Sequence, residues 1–389
     1  MTHARSAHRA ARAPLLIAGV SVRALAESAA RTGARVVALD AYGDLDLRRI
    51  ARVVTVPREN DGSFDPMRVA RASRAIDAGA VTYVSSFENS PRAVEMLARS
   101  RALIGNSPAV LRRVRDPLSL ARALPRLGAR TPAVRASPPH DSDATRWLLK
   151  PRCSGGGHGI VRWTHGMPVP RSSIVQERIR GSAGSITFVA DGAHVVPLAL
   201  TRQLSGDSAF GASGFAYCGS ILEPHHPELF ANARALASSV TREFAIRGVC
   251  SIDFIARGAV PYVIEVNPRP TASMELVERA TGCSIWLAHL AGCSEALASV
   301  PGLEHAPSVA HGKAVLYARR SVVLGDTERW LADEDVRDIP APGERIARGS
   351  PICTIFASGR TSALCYAALV RLARIRFAEV EGRMRRKSA

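Results

Sequence analysis

A chain of 389 residues that is 47% hydrophobic suffices for two or three domains of about 100–200 residues each, with a core that needs no disulfide or metal. The net charge of +18 raises nucleic-acid binding, but the basic residues mass only at the tips 1–9 and 383–387, and aromatics at 5% are too few for a base-stacking surface. Seven scattered cysteines without a Cys-x-x-Cys pair argue against a zinc site and for a cytoplasmic setting; no secretory signal is expected, and the apolar stretch 280–300 is broken by Thr281, His289 and Glu295, against a membrane span.

In chain order, Leu15 to Ala18 is a short apolar run, Gly19-Val20-Ser21 a turn, Val22 to Arg31 a helix ended by Gly33, and Arg35 to Asp40 the next strand. This is a βαβ unit and implies a parallel sheet. It continues with a strand at 53–56, a helix near 66–78, a strand at 81–84, a helix at 92–99 and a short strand at 103–105. Residues 1–105 therefore read as a small Rossmann-like α/β domain. Gly19 lacks the companions of a Gly-x-Gly-x-x-Gly fingerprint, so it reads as turn geometry, and Asp40 at the end of the second strand carries little meaning as a ribose-binding acid.

Pro132 and the Ser137-Pro138-Pro139 stretch mark a boundary. Beyond it, Trp147 to Arg152 is a strand end carrying Lys150. The loop Cys153-Ser154-Gly155-Gly156-Gly157-His158-Gly159 follows, and then the strand 160–163. Lys stands only at 150, 313 and 387 among 52 basic residues, so Lys150 is conspicuous in a chain that otherwise uses Arg. Glycines let successive N–H groups point at one anion, and Lys150 supplies a point charge to a phosphate. No Gly-Lys-Ser/Thr follows and the flanks are strands, so this is no Walker A loop. His158 reads as a loop residue. Further on, Arg202 is either a substrate contact or a surface Arg, and Glu223 with His225 and His226 reads as a surface loop rather than a base cluster.

Two strands meet next, Val249 to Ile255 with Asp253, and Tyr262 to Asn267 with Glu265, stopped by Pro268-Arg269-Pro270. Strand alternation puts Glu265 and Asn267 on one face, with Ile264 and Val266 towards the core. A three-residue turn at 258–260 would set Asp253 opposite Glu265, with Cβ atoms roughly 4.5–5.5 Å apart; a longer turn would leave them diagonal. Two carboxylates that close call for a cation between them, and oxygen ligands suit Mg²⁺. Asn267 adds a neutral oxygen, and the Arg269 fork is placed to neutralise charge on a transferring phosphoryl group. From about 301 a β-rich segment follows, in which Lys313 points either to the site or to solvent, and a helix over about 361–382 closes the chain.

Leu149-Lys150-Pro151 with the loop Ser154 to Gly159, Val175-Gln176-Glu177-Arg178-Ile179 with Gly181, then Asp253 and Glu265-Val266-Asn267-Pro268-Arg269 resemble, in this order, the ATP-grasp superfamily. The resemblance implies a mixed α/β and α+β fold: a Rossmann-like pre-ATP-grasp domain at 1–105, a two-part ATP-grasp domain at 106–300 with its small subdomain at about 131–180, and a small C-terminal domain at 301–389 similar to that of biotin-carboxylase-related ligases. It implies that Lys150 and the loop at Ser154, Gly155, Gly156 and Gly157 meet ATP phosphates, that Gln176, Glu177, Arg178 and Ile179 form the adenine hinge, and that Asp253, Glu265 and Asn267 hold Mg²⁺, with Mn²⁺ as a substitute. Arg269 would meet the acyl phosphate or carboxylate. The sequence departs from the family where another phosphate-binding Lys is usual: here Arg115 stands in the matching region.

The implied reaction is ADP-forming: a carboxylate takes the γ-phosphate and an amine displaces it from the acyl phosphate, with cofactor biosynthesis one setting for such ligases. A bicarbonate-activating carboxylase-type enzyme is the alternative, and a non-enzymatic basic nucleic-acid-binding protein is a third reading. The partners expected are small carboxylate and amine substrates, with no membrane and no nucleic acid, and a homodimer is compatible with the family.

Overall fold

The computed structural model describes residues 13–56, 64–138, 146–222, 227–302 and 307–382. The first third is a five-stranded, all-parallel sheet in the order Arg52–Thr55, Val36–Asp40, Leu15–Ala18, Ala80–Tyr83, Ala102–Leu103. Its central strands are apolar runs because both faces are covered. Leu15 and Ile17 pack one way, with Leu25 and Ala26 of the Arg23–Arg31 helix; Leu16 and Ala18 pack the other way, with Val94 and Leu97 of the Pro91–Ala98 helix. Gly19 has a packing role: a Cβ there would fall 2.2 Å from Val84 Cγ2. Asp40 is occupied locally, its carboxylate accepting the backbone N–H groups of Val22, Tyr42 and Gly43 at 2.7–2.8 Å.

The rest is built on an eight-stranded antiparallel sheet. It begins with the acidic hairpin, Val260–Asn267 and Arg247–Arg257, and continues through Ser182–Asp191, Val195–Ser205 and Tyr217–Leu222. The strand Ala310–Tyr317 then pairs with Tyr217–Leu222, and Pro351–Gly359 and Val336–Arg337 complete the sheet. The texture change near 301 is thus bridged: an otherwise unpaired strand edge is covered by the C-terminal segment. The closing helix Ser362–Gly382 buries Leu369 and Phe377 in a core shared with Leu204 and Ile221 from one side of that junction and Leu316 and Ile355 from the other. A separate four-stranded sheet, Val134–Arg135, Ser173–Glu177, Trp147–Pro151 and Val161–Arg162, carries the glycine-rich loop. Among the described residues no helix is long and apolar enough to cross a membrane.

Two polar contacts tie these layers together. Asn106, just past the parallel sheet, donates to Arg247 O (2.8 Å) and Pro268 O (2.9 Å) and accepts from Arg247 N (2.8 Å), gripping both strands of the acidic hairpin. Arg23 is only 1% exposed and binds Glu27 of its own helix at 3.1 Å and, from two distant segments, Asp338 at 2.9 Å and Glu275. Removing one partner of a buried ion pair strands the other charges. Arg23→Ala is expected to lower unfolding free energy by about 3–5 kcal/mol in urea titrations. A loss of under ~1 kcal/mol would show that its acids find other partners or protonate at little cost.

Candidate active site

The acidic hairpin reaches the expected register by a different route. Arg257 pairs with Val260, so the turn is the two residues Gly258-Ala259, with Gly258 at φ +60°. A bulge then inserts one residue, Ile264, between the pairs Phe254–Val263 and Asp253–Glu265. The bulge therefore supplies the shift that a three-residue turn would have given. It also moves the core contact: Val263 and Val266, 1% and 0% exposed, enter the core, while Ile264 is only half-buried.

Asp253 and Glu265 face each other in register, and Asn267 lies alongside, its Nδ2 donating to Asp253 Oδ2 at 3.1 Å. The two carboxylates are not equivalent. Burial, and then the Glu265 charge, push the Asp253 carboxyl up to about 6, against the pull of the Ser185 and Gln203 side chains. Burial acts the same way on Glu265, but Lys150, Arg115 and Arg269 outweigh it and hold that carboxyl below its usual range. Lys150 Nζ is 3.6 Å and Arg115 Nη1 3.8 Å from Glu265 Oε2.

Arg115 lies within reach of the hairpin carboxylates. It donates to Val266 O (2.9 Å), to Asn89 Oδ1 (2.9 and 3.1 Å) and to Ser154 O (3.2 Å), so it joins the hairpin, the parallel-sheet domain and the glycine-rich loop. Arg269 is buried and donates to Glu88 Oε1 at 2.7 Å and to Asn267 Oδ1 at 3.3 Å. The glycine-rich loop is held at Ser154 by Arg115 and Asn89 and at its tip by residues 215–217. Tyr217 N donates to Gly156 O at 2.9 Å, and a Cβ on Gly157 (φ +77°) would fall 1.8 Å from Phe215 O. Gly157 is thus required both by its backbone conformation and by the close approach.

The other candidates separate. Glu177 is spent on structure: Oε1 accepts from Arg146 at 2.9 and 3.1 Å, and Oε2 from Ala133 N at 3.1 Å. Arg202 is not brought to the carboxylates. Thr201 pairs with Ser185, which pairs with Asp253, so alternation sends Arg202 to the opposite face of the sheet, where its charge is felt by Tyr366. Lys313 is 2% exposed and points inward, to Glu275 Oε2 (2.8 Å) and Ala272 O (3.1 Å). His158 is exposed, and the cluster at Glu223, His225 and His226 lies outside the described residues.

Glu88, Asn89, Ser185 and Gln203 join the site without a motif to announce them. A signal for the first two does exist: they follow the Ala80–Tyr83 strand, and open parallel sheets bind ligands beyond the carboxyl ends of their strands.

The residues fit a hard divalent cation. Two carboxylates with an amide beside them form an oxygen-rich set that suits Mg²⁺, which completes its shell with water and substrate phosphates. Among the described residues no group of three His, Cys, Asp or Glu side chains gathers into an all-protein cage. Burial and the facing Glu265 charge raise the Asp253 carboxyl, and a cation between the two carboxylates would oppose both effects. The Asn267 oxygen faces Arg115 and Arg269 at 3.4 and 3.3 Å, so it would face the carboxylates only after rotation of the amide.

A family model described as an ATP-grasp domain matches residues 114–273, the segment that carries Arg115, Lys150, the loop, Asp253, Glu265, Asn267 and Arg269. An uncharacterized protein of Methanocaldococcus jannaschii is 23% identical over 184 residues, and the match spans 47% of this chain and 42% of that relative's length. The fold is similar to L-amino acid ligase from Bacillus licheniformis (17% identity, TM-score 0.65, 93% of this chain and 97% of that one). It is also similar to the biotin carboxylase domain of Hydrogenobacter thermophilus 2-oxoglutarate carboxylase, solved with MgADP and bicarbonate (14% identity, TM-score 0.66, 88% and 85%). Gly157→Ala is expected to weaken ATP binding about tenfold, or ~1.4 kcal/mol, in calorimetric titration, with a melting temperature within about 3 °C of the parent. Unchanged affinity would mean that the loop tip need not approach Phe215.

Proposed function

We propose, from the match of residues 114–273 to a family model described as an ATP-grasp domain, that this chain is an ADP-forming ligase that joins a carboxylate to an amine through an acyl phosphate. The observation that carries this reading is the convergence of Lys150, Arg115 and Arg269 on Glu265, opposite Asp253, with Arg115 also holding the glycine-rich loop. Such an arrangement suits phosphoryl transfer, where the protein's part is positioning and charge neutralisation rather than covalent chemistry.

Lys150 and the N–H groups of the loop at Ser154 to Gly157 would hold the phosphates. Arg115 would keep loop and hairpin together around them, in the role that a lysine usually has in the family. Asp253 and Glu265, with Asn267, would hold Mg²⁺, which when bound supplies charge neutralisation at the phosphate oxygens. Arg269, fixed by Glu88, would orient the substrate carboxylate and share the charge on the acyl phosphate. The carboxylate oxygen attacks the γ-phosphorus as the bond to ADP breaks. The amine nitrogen then forms the amide bond as the carbon–oxygen bond to phosphate breaks, its proton leaving with phosphate or water.

The test is ADP release with a panel of acids and amines, with and without bicarbonate. Release that requires both an acid and an amine is expected, and Glu265→Gln should lower it about a hundredfold or more with the fold intact, the size of effect seen when charge stabilisation is removed from an active site. Release that needs bicarbonate and no amine would assign the carboxylase class instead. Full activity in both Glu265→Gln and Asp253→Asn would remove the hairpin from the mechanism.

A further inference from the structure

A cavity of about 220 Å³ lies where the parallel-sheet domain, the segment directly after Arg269 and the C-terminal strands meet. Pro270 and Thr271 line it directly after Arg269, and Val84 and Ser85 line it just before Glu88, so it adjoins the cluster described above. Its charge runs against that of the chain. The protein carries a net charge of +18, yet the cavity wall holds five acids, Asp44, Glu275, Glu278, Asp338 and Glu344, and two cations, Arg23 and Lys313.

Both cations are already matched. Lys313 binds Glu275, and Arg23 is shared between Glu275, Asp338, Glu27 and Asp46. Asp44 is left over. It is 6% exposed, its Oδ2 has no hydrogen-bond partner among the described residues, and it does not cap the Leu45–Arg48 turn that it precedes. Burial, then the charges of Asp338, Asp40 and Asp46, raise its carboxyl well above the usual range, against the opposing pull of Arg23. A buried carboxylate of this kind lacks a cation or a donor.

We propose that this cavity binds the amine substrate as its ammonium ion, with Asp44 as the counter-ion. The assignment rests on the ligase reading, in which an amine must arrive beside Arg269. An organic cation suits this cavity because apolar side chains stand beside the acid, where a metal ion would need further oxygen ligands. Much of the remaining wall is apolar, with Leu25, Val84, Ile285 and Val315, and the rest is uncharged, so the amine carries an alkyl or aromatic body rather than further charges.

The test is calorimetric binding to the full chain of two pairs, butylamine against 1-butanol and phenethylamine against 2-phenylethanol. At least one amine is expected to bind about tenfold tighter than its alcohol, the scale of one charge-assisted hydrogen bond. Asp44→Asn should abolish that difference while leaving alcohol affinity and the melting temperature in place. Amine and alcohol binding equally in both pairs, or Asp44→Asn binding the amine like the parent, would overturn the proposal. ATP binding is measured in the same preparations. Its absence would remove the ligase reading, whereas the amine–alcohol comparison reads a separate set of residues, and its loss in Asp44→Asn reports on Asp44.

Discussion

Two carboxylates held face to face across a β-hairpin set the terms for the rest of the active region. Asp253 and Glu265 meet because a bulge at Ile264 adds one residue to one strand, and unscreened they would repel. The structure answers asymmetrically. Lys150, Arg115 and Arg269 hold the Glu265 carboxyl low, whereas burial and the Glu265 charge raise that of Asp253 against the weaker pull of its polar neighbours and Arg269. Each cation arrives from a different part of the chain: Arg115 from the end of a short helix, Lys150 from the small sheet, and Arg269 from just past the hairpin. The electrostatic demand of one hairpin therefore organises the junction of several elements.

That junction is tightened by neutral side chains. Asn106 grips both hairpin strands, and Asn89 receives the Arg115 fork while donating to Ser154 O at 3.4 Å. Glu88 anchors Arg269 from the same short turn as Asn89. The parallel-sheet domain thus completes the charge pattern of a site whose metal- and phosphate-binding candidates come from elsewhere. The antiparallel sheet extends the junction in the other direction. Because Ala310–Tyr317 pairs with Tyr217–Leu222, Lys313 is carried inward to Glu275 rather than left in solvent. The acid-rich cavity arises where these three contributions meet, and its acids come from positions 44, 275, 278, 338 and 344, in segments far apart in the chain.

Much of this was legible in the sequence, and the limits are physical. The βαβ pattern in residues 14–105 could be read because central parallel strands are apolar on both faces and their helices are punctuated by glycine and proline. The hairpin could be read because an acid in an otherwise apolar strand is costly unless it is used. The bulge could not: a three-residue turn and a two-residue turn with one bulge give the same register from the same residues. The Arg202 position was undecided for a similar reason, since one residue of register separates the carboxylate face of a strand from the opposite one, and that register depends on pairing with Ser182–Asp191. Glu88 and Asn89 carried only the weak signal of following a parallel strand, and Asp44 carried none.

The sequence by itself determined the local chemistry: a lysine before a glycine loop, two acids and an amide on adjoining strands, and an arginine just beyond them. Alternation and turn propensity act over a few residues, so such motifs survive without knowledge of the fold. Only the tertiary structure decided which distant charges would meet. Arg115 at Glu265, Glu88 at Arg269, Lys313 and Arg23 at Glu275, and an Asp44 Oδ2 with no hydrogen bond among the described residues all depend on how sheets and helices pack. Burial and proximity set the energy of a charge, and both are properties of the packed molecule rather than of any short stretch of chain.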